Sequence, residues 1–236
     1  MTEYFLIADL LGFSNLVTNL DTVALDKRVQ QWVSLIEEAK NNSGVTKVQL
    51  ISDTLFASEE DSTEGLSRLI GMGQHLLNAG VPKSLPVRGA ITHGDVVWGD
   101  LTYGKAVVEA HELEASLDWI GIACQPELPG VADLWSWDSL VVYPVPKKEG
   151  AIQLCPTIVW TVPNAQELPS FLTRDGLVQR NQVMEWPWAV KVQHTIHFGM
   201  YLSKARTSSW PPSQYKGSLP IEILQMWFEG VDPNNL

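Results

Sequence analysis

The sequence predicts an α+β fold in which helices cover one face of an antiparallel sheet. Three observations point there. Short β-prone runs alternate with helically spaced apolar segments over the first 124 residues. Twice, two β-prone runs are separated by only two residues, which forces neighbouring strands to run antiparallel. The hydrophobic fraction of 45% and the ten Trp are enough to fill a core, which a disordered chain does not require.

Taken in order, Tyr4 to Asp9 is an apolar run suited to a buried strand, and Leu11-Gly12-Phe13-Ser14 is a turn that can open a helix. From Asp21 to Lys40, Leu25, Val29, Trp32, Val33 and Ile36 share one helical face, with Asp21 as N-cap. Val45 to Ile51 and Thr54 to Ala57 form a hairpin turning at Ser52-Asp53. From Ser62, the positions Leu66, Leu69, Ile70, Leu76 and Leu77 follow helical spacing, and Gly80 is the expected left-handed stop. Pro86 to Thr92 and Asp95 to Trp98 read as a second hairpin turning at His93-Gly94. Tyr103 to Ser116 reads as a helix and Trp119 to Cys124 as a strand. This order is an extended ferredoxin-like plan.

After Pro126 the pattern is less regular, with strand-like Leu140 to Tyr143 and Thr157 to Val162, then helical Trp188 to Arg206 and Ile221 to Phe228. We therefore expect a catalytic core over 1–130 and a C-terminal extension over 131–236 packed on the same domain.

The formal net charge of -11 opposes binding to a nucleic-acid backbone, which needs a basic footprint. A mononucleotide stays open, because metal ions held by the same carboxylates neutralise a triphosphate locally. Two cysteines, Cys124 and Cys155, and a start (MTEYFLIADLLGF) without a basic segment or cleavage site predict a cytoplasmic protein. No apolar run reaches the roughly 20 residues that a bilayer demands.

Asp9 ends the first strand and Asp53 tips the adjacent hairpin, so both carboxylates can meet in one cleft at the sheet edge. Two carboxylates and a backbone carbonyl suit a pair of Mg²⁺ or Mn²⁺ ions, which prefer oxygen ligands and support in-line phosphoryl displacement. For each Asp alone, a turn or capping role is the alternative. Gly12 and its neighbours stand where a strand passes into a helix, a place whose backbone N–H groups suit phosphate oxygens.

Four blocks in this chain resemble class III adenylate and guanylate cyclase domains. IADLLGFSNL is similar to the opening DxxGFS segment, LISDTLFAS to the second metal-Asp hairpin, VRGAITHGDVVWGD to the RxGIxxGxVxxG hairpin and YGKAVVEAHELEAS to the following helix. The blocks keep the family order over about residues 4 to 124. The resemblance implies a homodimer with active sites at the subunit interface. It also implies that Asp9, Asp53 and the Leu10 carbonyl hold two Mn²⁺ or Mg²⁺ ions while the ribose 3′ oxygen attacks the α-phosphate and releases pyrophosphate. Leu11, Gly12, Phe13 and Ser14 would then lie along the substrate, and Arg88 matches the Arg that opens the third block, as a phosphate or structural residue.

The departures are informative. Val108 and Glu112 stand where the family helix carries Asn and the transition-state Arg, and Lys147 and Lys148 are substitutes by charge. Gln49 replaces a base-reading Lys, and Leu101 replaces a base-reading Asp three residues before Gly104. With the purine-reading set gone, the chain resembles the pyrimidine cyclases of bacterial anti-phage Pycsar systems. These imply synthesis of cyclic UMP or cyclic CMP for a separate effector. Gln49 is placed near the base, where its amide can donate and accept, so UTP is favoured with CTP as the alternative.

Other readings are weaker. A haloacid-dehalogenase nucleophile loop needs a second Asp where Leu11 stands, and a diguanylate cyclase needs an acidic hairpin in place of Ile51-Ser52-Asp53-Thr54. His194 and His197 have half of a metal spacing without a carboxylate or Cys cluster, and read as helix surface. Trp186, Trp188, Trp210 and Trp227 read as core or dimer contacts. The rival of a different class is a cyclase-like module that binds nucleotide or dimerises without turnover.

Overall fold

Strand β1 (Thr2–Leu10) lies inside the sheet and is apolar on both faces, as a strand covered on both sides must be. Tyr4, Leu6, Ala8 and Leu10 enter the main core beneath two helices, and Phe5 and Ile7 enter a smaller cluster with Ala90, Ala106 and Ala110. The structure is a computed structural model that describes residues 1–134, 136, 138–174 and 186–207. Among these, seven strands form one sheet in the order β2-β3-β1-β4-β5-β7-β6.

The helix α1 (Phe13–Asn19) follows β1 directly, and α2 (Thr22–Ser43) starts where the Asp21 carboxylate accepts the Ala24 N–H at 2.8 Å, as its N-cap position predicts. The buried stripe of α2 is Arg28, Trp32, Leu35, Ile36 and Ala39. Trp32 and Ile36 lie on the expected face, and Leu25, Val29 and Val33 sit at its half-buried margin. The hairpin β2 (Lys47–Ile51) and β3 (Thr54–Glu60) turns at Ser52-Asp53 as expected. The helix α3 (Thr63–Gly80) is capped by Ser62, whose hydroxyl accepts the Gly65 N–H at 3.0 Å. Gly80 is helical (φ -76°) and not a left-handed stop, because the chain continues into a 3₁₀ turn over Val81–Lys83.

Strand β4 (Val87–Asp95) corrects the second predicted hairpin. It runs through His93-Gly94 without turning, because β1 still pairs with it there, Glu3 facing Gly94 and Thr2 facing Asp95. The chain then crosses a loop to α4 (Lys105–Ser116), closed at its base by mutual Val97–Tyr103 backbone bonds. Gly104 opens this helix at φ 143°, and a Cβ there would lie 2.1 Å from the Asp95 carbonyl oxygen, so only glycine fits.

The α+β class holds, with two refinements. Strand β5 (Gly121–Cys124) pairs parallel to β4, since α4 serves as the crossover between them. The helices also divide between the faces: α2 and α3 cover the Leu6 side, and α4 covers the Phe5 side through Ala106 and Ala110.

Beyond residue 130, β6 (Leu140–Pro146) and β7 (Ile152–Ile158) extend the same sheet through the Ala123–Thr157 pairing. Of the strand expected over Thr157 to Val162, only the first two residues lie in β7. Outermost β6 carries Pro144 and Pro146, and the Tyr201 hydroxyl donates to its Val142 carbonyl at 2.8 Å. Two helices follow, α5 (Glu167–Arg174) and the expected α6 (Trp186–Thr207). From α6, Phe198 meets Trp119 edge-on, 5.1 Å between ring centroids. The helix predicted over Ile221 to Phe228, with Trp210 and Trp227, lies outside the described residues.

Candidate active site

The register of β1 against the hairpin builds the site. Asp9 faces Thr54, and Thr54 faces Ile51 across the two-residue turn, so Asp53 sits beside the end of β1. Ser52 takes the left-handed conformation (φ 59°), uncommon for a residue with a Cβ, and its hydroxyl donates to the Asp53 carboxylate at 2.9 Å. The Thr54 hydroxyl donates to Asp9 at 3.0 Å. Forty-five residues apart in the chain, the two acids share one corner of the sheet.

The electrostatics of Asp9 follow from that placement. Burial pushes the Asp9 carboxyl up to about 6, and the Asp53 charge and then that of Glu114 add to the rise. The Thr54 hydrogen bond and the Arg88 charge oppose it. Among the described residues neither Asp9 nor Asp53 has a salt bridge. A half-buried carboxylate facing another without a cation is the environment that a divalent ion relieves, so the residues fit such an ion. No group of three His, Cys, Asp or Glu side chains gathers among the described residues. Mg²⁺ can bind through one or two carboxylates plus substrate phosphates, without an all-protein cage.

The Leu10 backbone joins the same corner. The Leu11 N–H donates to the Pro86 carbonyl at 2.9 Å, towards β4. Because successive residues of a strand aim their backbone groups at opposite neighbours, the Leu10 carbonyl points towards the hairpin side.

The substrate-loop residues divide. Leu11 is buried and its amide is taken by Pro86, which removes it from any phosphate contact through that group. Gly12 (φ 84°) opens α1, Phe13 packs against the main core and Ser14 is exposed. Gln49 lies on edge strand β2 and its Oε1 accepts from the Thr102 hydroxyl at 2.9 Å.

Arg88 faces Asp9 across the β1–β4 ladder. It is buried, its Nε donates to Glu114 at 2.5 Å and its Nη1 to the Leu117 carbonyl at 3.2 Å. Of its two expected roles, these contacts supply the structural one: the guanidinium ties α4 to β4 behind Asp9. Val108 is exposed on α4, and Glu112 lines a groove of about 270 Å³ with Glu109, Gln125, Lys147 and Gln153.

Lys147 donates to Gln153 at 2.8 Å. The Lys148 amine is held below its usual range by partial burial and then by the Arg88 charge, which places it near the Arg88–Glu114 pair. His194 is tied through Nδ1 to the Asp118 carbonyl at 2.7 Å and His197 is exposed.

Three residues went unnoticed in sequence: Thr54, Glu114 and Thr102. Thr54 follows Asp53 directly, but nothing local says that it faces Asp9. Glu114 was discoverable as the acid needed by a buried Arg88, within the helix block already quoted.

No protein-family model matches the chain, and no curated protein is similar to it in sequence. Solved structures are similar in fold. The monomeric guanylyl cyclase domain of the RhoGC fusion protein from the aquatic fungus Blastocladiella emersonii superimposes with a TM-score of 0.55 at 13% identity, over 67% of this chain and 94% of that one. A dimeric form of that domain gives 0.53 at 14% identity, over 67% and 96%. The guanylate cyclase domain of RhGC from Catenaria anguillulae, in complex with GTP, gives 0.52 at 12%, again over 67% and 96%. The chain therefore has the α+β fold of nucleotide cyclase domains, with Asp9 and Asp53 at the meeting of its first strand and first hairpin.

Proposed function

We propose that the protein is a two-metal nucleotide cyclase that converts a pyrimidine ribonucleoside triphosphate, UTP by preference and CTP as the alternative, to its 3′,5′-cyclic monophosphate and pyrophosphate. The observation that supports it most is that Asp9 and Asp53 share one corner, the Asp53 charge acting against ionisation of Asp9, with no salt bridge to either among the described residues.

Asp9, Asp53 and the Leu10 carbonyl hold the ions. When bound, two Mn²⁺ or Mg²⁺ ions lower the charge barrier between the ribose 3′ oxygen and the α-phosphate and stabilise the departing pyrophosphate. Thr54 fixes the Asp9 rotamer and Ser52 that of Asp53. Arg88 and Glu114 brace the strand behind Asp9. Gly12, Phe13 and Ser14 border the triphosphate, and Gln49 reads the base.

A homodimer completes the site in this reading. Val97, Leu101, Tyr103 and Val108, on α4 and the loop before it, leave large apolar side chains exposed on the face that carries Asp9, as a subunit contact would require. The cyclic product signals to a separate effector.

One observation favours the non-catalytic module. The arginines with described side chains are all committed, Arg28 to the Ser84 carbonyl, Arg68 to Glu59 and Glu64, and Arg88 to Glu114. Lys148, whose amine feels the charges of Arg88 and Glu114, is a cation that remains for the transition state.

The test is incubation of purified protein with Mn²⁺ and each of the four ribonucleoside triphosphates, read by mass spectrometry. A cyclic pyrimidine nucleotide is expected. Absence of every cyclic product, with nucleotide still bound, would leave the binding module standing.

A further inference from the structure

Thr195 ties the last described helix to the backbone that stands behind Asp9. Leu117 to Ile120 join the end of α4 to the start of β5 and lie outside both elements, so their backbone groups find partners elsewhere. Three bonds come from α6. The Ile120 N–H donates to Thr195 Oγ1 at 3.0 Å, His194 Nδ1 donates to the Asp118 carbonyl at 2.7 Å, and the Lys191 ammonium donates to the Asp118 carboxylate. The first of these has one possible direction. A backbone N–H only donates, so the Thr195 oxygen accepts, and its own hydrogen goes to the Lys191 carbonyl at 2.7 Å. Thr195 is fully buried, which closes the bond to solvent.

On its other side the same segment holds Arg88. The Leu117 carbonyl accepts from Nη1 at 3.2 Å, and Glu114, in the last turn of α4, accepts from Nε at 2.5 Å. Arg88 stands opposite Asp9 in the β1–β4 ladder. A buried guanidinium that gave up these acceptors would be left unpaired, which costs more than a small shift of backbone, so Arg88 follows the segment. We infer that Thr195 is a positioning residue, which fixes Leu117 to Ile120 and through them Arg88 and the strand end that presents Asp9 to a divalent ion. Ligating side chains hold their geometry within about 0.5 Å only when the groups behind them are fixed. The inference rests on Asp9 as a metal ligand, and it gives α6 a part in the site without any contact to substrate.

Three variants of the intact protein separate positioning from stability. Thr195→Val removes the acceptor of the Ile120 N–H at nearly constant volume. Thr195→Ser keeps the hydroxyl and gives up only a buried methyl. Tyr201→Phe cuts a bond from the same helix to the Val142 carbonyl of β6 and leaves the bonds to Asp118 and Ile120 in place. All three are expected to lower the melting midpoint. Calorimetric titration with Mn²⁺ well below that midpoint is expected to give a Kd about fivefold higher for Thr195→Val, and within about twofold of wild type for the other two. An unchanged Kd in Thr195→Val overturns the inference, as does a rise common to all three variants, which would track stability alone.

Hydrogen exchange of the Arg88 Nε–H, followed by NMR without metal, separates this inference from the cyclase reading. It should be about tenfold faster in Thr195→Val than in wild type or Thr195→Ser. That response in a protein whose wild type binds no Mn²⁺ sinks the metal reading and leaves the brace from Thr195 to Arg88. Mn²⁺ binding with neither Kd nor exchange sensitive to Thr195 sinks the brace alone, and the absence of both binding and response sinks both.

Discussion

The hairpin and the first strand hold acids at both of their ends, and the two ends treat them in opposite ways. At the far end, Glu3 accepts from Lys47 and from the Ser58 hydroxyl, each at 2.5 Å. Beside it Glu59 accepts from the Thr46 N–H and hydroxyl and from Arg68. Both acids are buried and both are matched by donors. At the near end Asp9 receives a hydroxyl bond from Thr54 and feels the charge of Asp53. Buried carboxylates matched by donors stabilise a fold, and carboxylates left facing each other are kept for something that arrives from outside.

The largest expected effect breaks the near end. Asp53→Ala should reduce cyclic nucleotide formation below detection by mass spectrometry and leave the melting midpoint equal or higher, because a repulsion has been removed. Near-normal turnover in this variant would remove the metal assignment. Breaking the far end should do the reverse: Glu59→Ala leaves the Thr46 N–H without its acceptor and Arg68 with Glu64 alone, and should cost about 2 kcal/mol in denaturant unfolding. A loss under half of that would mean that the far end is not the stabilising one.

Thr54→Val sharpens the contrast by removing the one side-chain donor that the Asp9 carboxylate has among the described residues. Mn²⁺ affinity, read by titration calorimetry, should fall about tenfold, as for other groups that orient a metal ligand. The smallest effect is on pH dependence. In metal-free protein Asp9 binds its proton more tightly when folded, at about 6, than when unfolded, near 3.8, so its ionisation destabilises the fold. The stability of wild type relative to Asp9→Asn should decline between about pH 4 and about pH 6 and be level above, and Mn²⁺ should reverse the decline. A flat difference across that window would show that neither burial nor the Asp53 charge raises the Asp9 carboxyl.

Much of this was legible in sequence. Apolar period, caps and two-residue turns announced β1, α2, the first hairpin and α3, because those signals are local. The Ser52-Asp53 tip was readable for the same reason. What escaped depended on partners distant in the chain. His93-Gly94 looks like a turn, yet β1 holds it extended through pairing with Tyr4 and Glu3, some ninety residues earlier. The face on which α4 packs depends on the crossover to β5, which no residue in α4 encodes. Arg88 was ambiguous until Glu114 was seen 2.5 Å away. The Leu11 N–H is taken by the carbonyl of Pro86, a contact made by the register of two strands.

The outermost strand β6 has a consequence for growth of the sheet. Val142, Pro144 and Pro146 share one parity, and Tyr201 caps the Val142 carbonyl, which marks their backbone groups as the outward ones. At two of the three outward positions there is no amide to offer, so an incoming extended segment finds no ladder to join. Enlargement by strand addition is closed on that flank, and assembly is directed to the broad faces or to the Gln49 edge opposite.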